Sequence, residues 1–280
     1  MADIFSDLQK LGIGNVGNIF ETEDDSKAKV KEQAKQQTPE ELEAEMIFEK
    51  THTCPLCDKA FTTKTVRAGK AKMVSSDTDL RAKYANIDVN KYDAIVCPAC
   101  GYAALARYFE MTTAPQRKLI KENISAGFKG LPASTSPIIT YDEAIMNLKL
   151  ALANAVVKKG KNSEKAYICL KMAWVIRGRL ETPTEVSKFS KEEIIALKQE
   201  ELAYIKQAYM GFTSAVQSET FPMCGMDEMT TIYLLADLAR RSGDRAQALK
   251  LLGEVIVSKN AQGRLKEKAR ELKDLIMESK

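Results

Sequence analysis

From residue 140 onward the apolar positions of the chain recur at steps of three and four. Tyr141, Ile145, Leu148, Leu152 and Ala155 make one stripe, and Tyr167, Leu170 and Trp174 a second. Leu202, Ile205, Tyr209, Phe212 and Val216 make a third. This spacing puts each set on one face of an α-helix. Helix starts are marked at Thr140-Tyr141-Asp142-Glu143 and at Ser190-Lys191-Glu192-Glu193. In both, a hydroxyl and a glutamate three residues on can satisfy each other's free backbone N–H groups. After a loop over Phe221-Pro222-Met223-Cys224-Gly225 the pattern resumes with Ile232, Leu235, Ala236 and Ala239. It continues through Ala248, Leu252 and Val255 after a Gly243-Asp244 turn, and then through Leu265, Ala269, Leu272 and Ile276.

Small residues at the crossing positions around Gly243-Asp244 resemble a tetratricopeptide unit, and Tyr141 to Arg179 is a more divergent version of it. The last helix carries a polar outer face (Lys266, Glu267, Arg270, Glu271), as the end of a stacked array should. Residues 138–280 are therefore expected to form a tetratricopeptide-like helical domain that folds without the rest of the chain. Leu131 to Pro137, rich in proline and small hydroxyl residues, marks its boundary.

Upstream the pattern is different. Ile4, Phe5, Leu8 and Leu11 have helical spacing in a segment too short to be stable alone, and Glu21 to Gln37 is charged and nearly without aliphatics. Residues 1–37 are read as a flexible leader and acidic linker. Thr38-Pro39-Glu40-Glu41 predicts a helix running to about Glu49. Phe61 to Val74 alternates around Gly69, which predicts a two-stranded ribbon turning near Ala68-Gly69-Lys70. A strand follows at Tyr92 to Val96, and a helix over Ala103 to Glu110. Thr113-Ala114-Pro115-Gln116 starts another helix, within a connector over 111–137.

Candidate chemistry is concentrated in two short pairs, Cys54-Pro55-Leu56-Cys57 and Cys97-Pro98-Ala99-Cys100, separated by 39 residues. Two residues between cysteines let both thiolates of a pair reach one ion, and two pairs supply the four sulfurs of a closed tetrahedral zinc site. Gly101 can take the left-handed conformation that leaves the second turn. One structural Zn2+ held by Cys54, Cys57, Cys97 and Cys100 is the expectation. Four thiolates leave no position for a reactive water. His52, the one histidine of the chain, is read as a flank of this site, with ligation as the alternative. Asp77, Asp79 and Arg81 are read as an aspartate turn held by an arginine, ahead of a catalytic carboxylate pair. Cys169 is read as packing and Cys224 as an inert loop thiol. The fold class that results is mainly α. A small β-containing zinc-ribbon-like module over 38–110 is followed by an α-helical tetratricopeptide-like array.

The two cysteine pairs, Thr65-Val66-Arg67-Ala68-Gly69-Lys70, Asp77-Thr78-Asp79-Leu80-Arg81, Lys91-Tyr92-Asp93 and Gly101-Tyr102-Ala103-Ala104 resemble a bacterial family, domain of unknown function 2225. The resemblance covers the cysteine region closely and the helical remainder more loosely. It implies no activity.

Charge narrows the function classes. The chain is +4 overall, with −6 in residues 1–50 and +10 in the rest, which permits an acidic partner without requiring one. No apolar run approaches a membrane span and the start lacks signal-peptide character, so a reducing cytoplasm is expected. There is no glycine-rich phosphate loop, no Gly-x-Ser-x-Gly and no second histidine, which weighs against an enzyme. The favoured reading is an interaction protein whose helical array binds a protein or peptide partner. The alternative is nucleic-acid binding through Lys64, Arg67, Lys70 and Lys72.

Overall fold

The computed structural model describes residues 37–132 and 134–278. The expected leader helix and most of the acidic linker lie outside these residues. Pro39–Lys280 forms one compact unit, and the boundaries expected at 110 and 137 fall inside it.

The first part is built on hairpins whose turns are the cysteine pairs. After a short helix α1 (Pro39–Ala44), strand β1 (Ile47–Thr53) runs into Cys54 and strand β2 (Ala60–Val66) runs out of Cys57. The two pair antiparallel, with Thr53 opposite Ala60 and His52 opposite Phe61. Strands β5 (Ala94–Val96) and β6 (Ala103–Leu105) do the same across Cys97 to Cys100, with Val96 opposite Ala103. Between them β3 (Met73–Ser76) and β4 (Ala82–Tyr84) make a third hairpin.

This corrects three sequence expectations. Helix α1 stops before the first cysteine pair, because Ile47 to Thr53 is the strand that the turn needs. β2 pairs backwards across that turn, not forwards across Gly69. Ala103 to Leu105 is a strand, because its apolar run has β5 to pair with, and a 3-10 turn over Ala106–Tyr108 follows. In each case the cysteine turn brings the flanking segments together, which outweighs their local propensities.

The helical starts read from the sequence are observed. α2 (Ala114–Asn123), α3 (Tyr141–Val157) and α6 (Lys191–Ser218) begin with reciprocal caps at Thr113, Thr140 and Ser190. Between them lie α4 (Asn162–Glu181) and a one-turn α5 (Pro183–Val186). α7 (Glu228–Arg241) and α8 (Arg245–Val257) are joined by the Gly243-Asp244 turn, where Asp244 accepts from the Gln247 N–H at 3.1 Å. α9 (Gly263–Glu278) closes the array, burying Ala269, Leu272 and Ile276.

α4 is the centre of the molecule. Its sequence shows one apolar stripe, but the helix is buried nearly all round. Leu170, Ala173 and Trp174 join Ile205 and Phe212 of α6 and Leu235 of α7 in one cluster. Ile168, Met172 and Val175 join Leu148 of α3 and Val96 and Leu105 of the second hairpin in another. A helix lined with apolar residues on two faces must be packed from both sides. The second hairpin therefore belongs to the core of the helical part: β5 and β6 are buried at every position, whereas β1 is mostly exposed.

Candidate metal centre

The two cysteine turns are built alike. Cys54 N–H donates to Lys59 O at 3.0 Å and Asp58 N–H to Cys54 O at 2.9 Å. Cys97 N–H donates to Tyr102 O at 2.8 Å and Gly101 N–H to Cys97 O at 3.0 Å. Each turn is left through a positive φ, 60° at Asp58 and 72° at Gly101. Aspartate tolerates that conformation and glycine adopts it freely. At Gly101 the requirement is double, because a Cβ there would stand 2.6 Å from the ring of Phe128. The expected role of Gly101 is observed; its counterpart Asp58 was missed, since a single aspartate is a weak turn signal.

The turns face each other. Cys54 Sγ lies 3.6 Å from Cys100 Sγ, and Cys57 Sγ 3.7 Å from Cys97 Sγ. All four sulfurs fall within 4.8 Å of one another, the one such cluster of potential ligands among the described residues. A tetrahedral zinc with bonds of about 2.3 Å requires sulfur separations of about 3.8 Å, so the spacing suits such an ion. The cysteines are free, and Cys54 and Cys97 are fully buried. The Leu56 N–H points at Cys54 Sγ, 3.4 Å away, the contact expected for a thiolate ligand. The Cys54 thiol is pulled down to about 5, first by the hydrogen bond from Cys100. The Cys100 thiol is pushed up by that same contact and by burial. Crowded thiols hold one another's protons, and a cation at their centre would replace those protons. These four residues can hold a metal ion with its coordination shell closed by protein.

His52 stands outside this set. It lies between Phe61 and Phe109, with ring centroids 5.8 and 5.9 Å away, and burial lowers its pKa. Phe109 continues the aromatic layer to Tyr102, whose hydroxyl donates to Phe109 O at 2.7 Å. His52 is thus part of the floor beneath the cysteine turns.

Asp77, Asp79 and Arg81 form an ionic cluster with residues far along the chain. Arg177 of α4 grips Asp79 at both oxygens (3.1 and 2.8 Å), and also reaches Asp77 at 2.9 Å and Glu201 at 2.7 Å. Arg81 pairs with Glu181 at 2.7 Å. Thr78 donates to Asp237 of α7, which Arg241 also holds. Burial alone would raise Asp79, but hydrogen bonds and charge from Arg177, helped by Arg241, hold its carboxyl below the usual range. Asp77 is held down by Lys83 and Arg177. An acid–base pair needs one carboxyl raised. Here both are charged anchors. The turn reading stands, but the arginine that dominates it is Arg177, about a hundred residues away and outside the reach of local pattern.

Of the four bases proposed for nucleic acid, Lys64 donates to Ser136 O at 2.5 Å and Ile138 O at 3.2 Å, and Arg67 to Ile47 O at 2.9 Å. Only Lys70 and Lys72 sit in the exposed turn without such tethers. Cys169 is buried in α4, its thiol pushed up to about 11 by burial. Cys224 is buried too, donates to Ser163 O at 3.3 Å, and is likewise raised by burial. Neither has a lowered thiol that would make it a nucleophile.

Paired cysteine turns on β-hairpins, set into a helical body, define a mainly α protein with a small four-cysteine module. Residues 47–276 match a family described as an uncharacterized protein conserved in bacteria, DUF2225, and the chain belongs to that family. Comparison with curated proteins and with solved structures gave no match. Among the described residues no helix is long and apolar enough to cross a membrane.

Proposed function

We propose that this is a cytoplasmic binding protein in which one structural zinc ion, held by Cys54, Cys57, Cys97 and Cys100, fixes the hairpin module, while the helical array carries the surface for a protein partner. The sulfur spacing supports the metal and its structural role: four thiolates leave zinc no open position for a water. The observation that carries the partner surface lies on α6. Ile195, Leu202 and Met210 are large, apolar and exposed, seven and eight residues apart, on one face of the longest described helix. Such a stripe is the usual seat for an apolar groove or a second amphipathic helix. Stacking of α7, α8 and α9 after α6 resembles a tetratricopeptide array, which presents surfaces of this kind.

A photoreactive amino acid placed at Leu202 of the full chain, expressed in a bacterium of the family, tests the surface. One recurring crosslinked protein, lost in the Ile195→Lys variant with its helicity intact, is the expected result. Crosslinks that persist unchanged in Ile195→Lys would remove the α6 face from the proposal. Nuclease-sensitive material in place of protein would favour the nucleic-acid alternative.

A further inference from the structure

A cleft of about 560 Å³ lies where the hairpin module meets the helical body. It falls within the size range of small-molecule sites, about 300–1,000 Å³. Its apolar walls come from Tyr84 of β4, Leu105 of β6, Tyr167 and Trp174 of α4, and Leu234 of α7. Four polar side chains converge in it: Asn90, Asp93, Arg107 and Lys171.

Lys171 is the unusual residue. It is buried in α4, at a site where an aliphatic side chain would avoid the desolvation of an ammonium. Its Nζ sits 4.8 Å from the ring centre of Trp174 and 5.3 Å from that of Tyr167. It bonds to Asn90 Oδ1 at 3.0 Å and pairs with the Asp93 carboxylate. Burial would strip the proton, but the Asp93 charge more than offsets this, and the ammonium is retained. The Arg107 guanidinium also lies 5.5 Å from the Tyr167 ring, tethered to the carbonyl of Cys224. The polar lining therefore holds two cations and one carboxylate, an excess of one positive charge among flat aromatic walls. The indole N–H of Trp174, itself buried, has no protein acceptor.

We propose that this cleft binds a small organic monoanion with a flat apolar body, an aromatic carboxylate in chemical class. Its ring stacks on one of Trp174 and Tyr167, whose planes stand at 82°, and meets the other edge-on, while its carboxylate takes the charge left over by Arg107 and Lys171. Aromatic walls supply area at small entropic cost, and a fixed cation selects the anion over its neutral isostere. The site goes beyond the partner surface on α6 and does not depend on it.

Trp174 is the one tryptophan of the chain, so its fluorescence reports on the cleft directly. The probe is 4-nitrobenzoate, a flat carboxylate that quenches indole, titrated into the full metal-loaded chain. Saturable quenching with a Kd below about 1 mM is expected, with the neutral 4-nitrobenzyl alcohol at least about tenfold weaker. Arg107→Gln, at an exposed position and with circular dichroism matching the parent, should weaken the carboxylate about tenfold and leave the alcohol unchanged. Lys171→Met should do the same where its circular dichroism matches the parent. Quenching that stays linear with concentration, equal affinity for acid and alcohol, or an Arg107→Gln variant that binds 4-nitrobenzoate as tightly as the parent would each overturn the proposal.

Discussion

The side-chain amide of Asn154, a fully buried residue of α3, donates to the carbonyl oxygen of Gly101 at 3.0 Å. The turn that carries Cys97 and Cys100 is thereby hydrogen-bonded to the helical body, beside strands that already lie in its core. The four-cysteine cluster and the helices share structure.

For the metal itself, one zinc per chain is expected by elemental analysis of protein purified under reducing conditions. Cys97→Ser should lower that content severalfold, and chelation should raise hydrogen exchange in β1 and β2 first, because ligation energy in such modules is folding energy. A metal content unchanged in Cys97→Ser would remove these ligands from the proposal.

Sharing of the core bears on the independence of the helices expected from the sequence. In a fragment over 138–280, Tyr141, Leu148, Ile168 and Met172 would lose Ala94, Val96, Ala103 and Leu105 as neighbours. We expect α3 to exchange its amides rapidly in that fragment, while α7 to α9, whose contacts lie in the other cluster, stay protected. Full protection of α3 would support the boundary near Pro137.

What the sequence made legible follows the range of the interactions. The cysteine pairs, the caps at Thr113, Thr140 and Ser190, and the turn at Gly243-Asp244 act within a few residues, and each reads directly from local spacing. Strand pairing did not, because β2 and β6 answer to partners that only the cysteine turns deliver. The all-round burial of α4 was hidden by Lys171, Arg177 and Arg179, charged residues that local reading puts in water. Their partners Asp93, Asp79 and Asp142 are remote in sequence.

Arg177 offers a direct measure of the ionic cluster. Removing it leaves Asp79 charged, buried and held only by the more distant Arg241, at 3.7 Å. Arg177→Leu should cost about 3–5 kcal/mol, as for other broken buried pairs. The double variant with Asp79→Leu should recover part of that, since the stranded charge is then gone. Urea unfolding of the three variants decides it; a double variant as unstable as the sum of the singles would show no coupling.

The same aspartates set an acid limb. Their folded pKa values are depressed, so their stabilisation is fully present above the unfolded carboxylate range, near pH 4, and is lost as pH falls through the lower folded values. The Asp79→Leu variant should therefore show a shallower fall in stability below pH 4 than the parent. Parallel curves would place the acid sensitivity elsewhere.

Glycine positions separate strain from crowding. Gly69 and Gly101 both have positive φ, 79° and 72°, but a Cβ at Gly69 meets nothing within 4 Å. Gly69→Ala should cost about 1–2 kcal/mol, the left-handed penalty alone. Gly101→Ala must also displace Phe128 and should cost more. Thermal unfolding compares the two, and equal losses would mean that Phe128 gives way freely.

With a metal on the cysteine cluster, the excursion between Cys57 and Cys97 is fastened at its base, and Asp79 on Arg177 fastens it near its middle. In polymer terms this divides one long ring into two shorter ones. Releasing the middle link alone at most doubles the free length, an entropic difference of about 0.6 kcal/mol that is small beside the cost of the stranded charge. Arg81 on Glu181, Thr78 on Asp237 and Asp93 on Lys171 hold the same segment, so no single contact keeps the chain against the helices. On chelation a protease should therefore reach the stretch around β2 before that from Asp77 to Asp93.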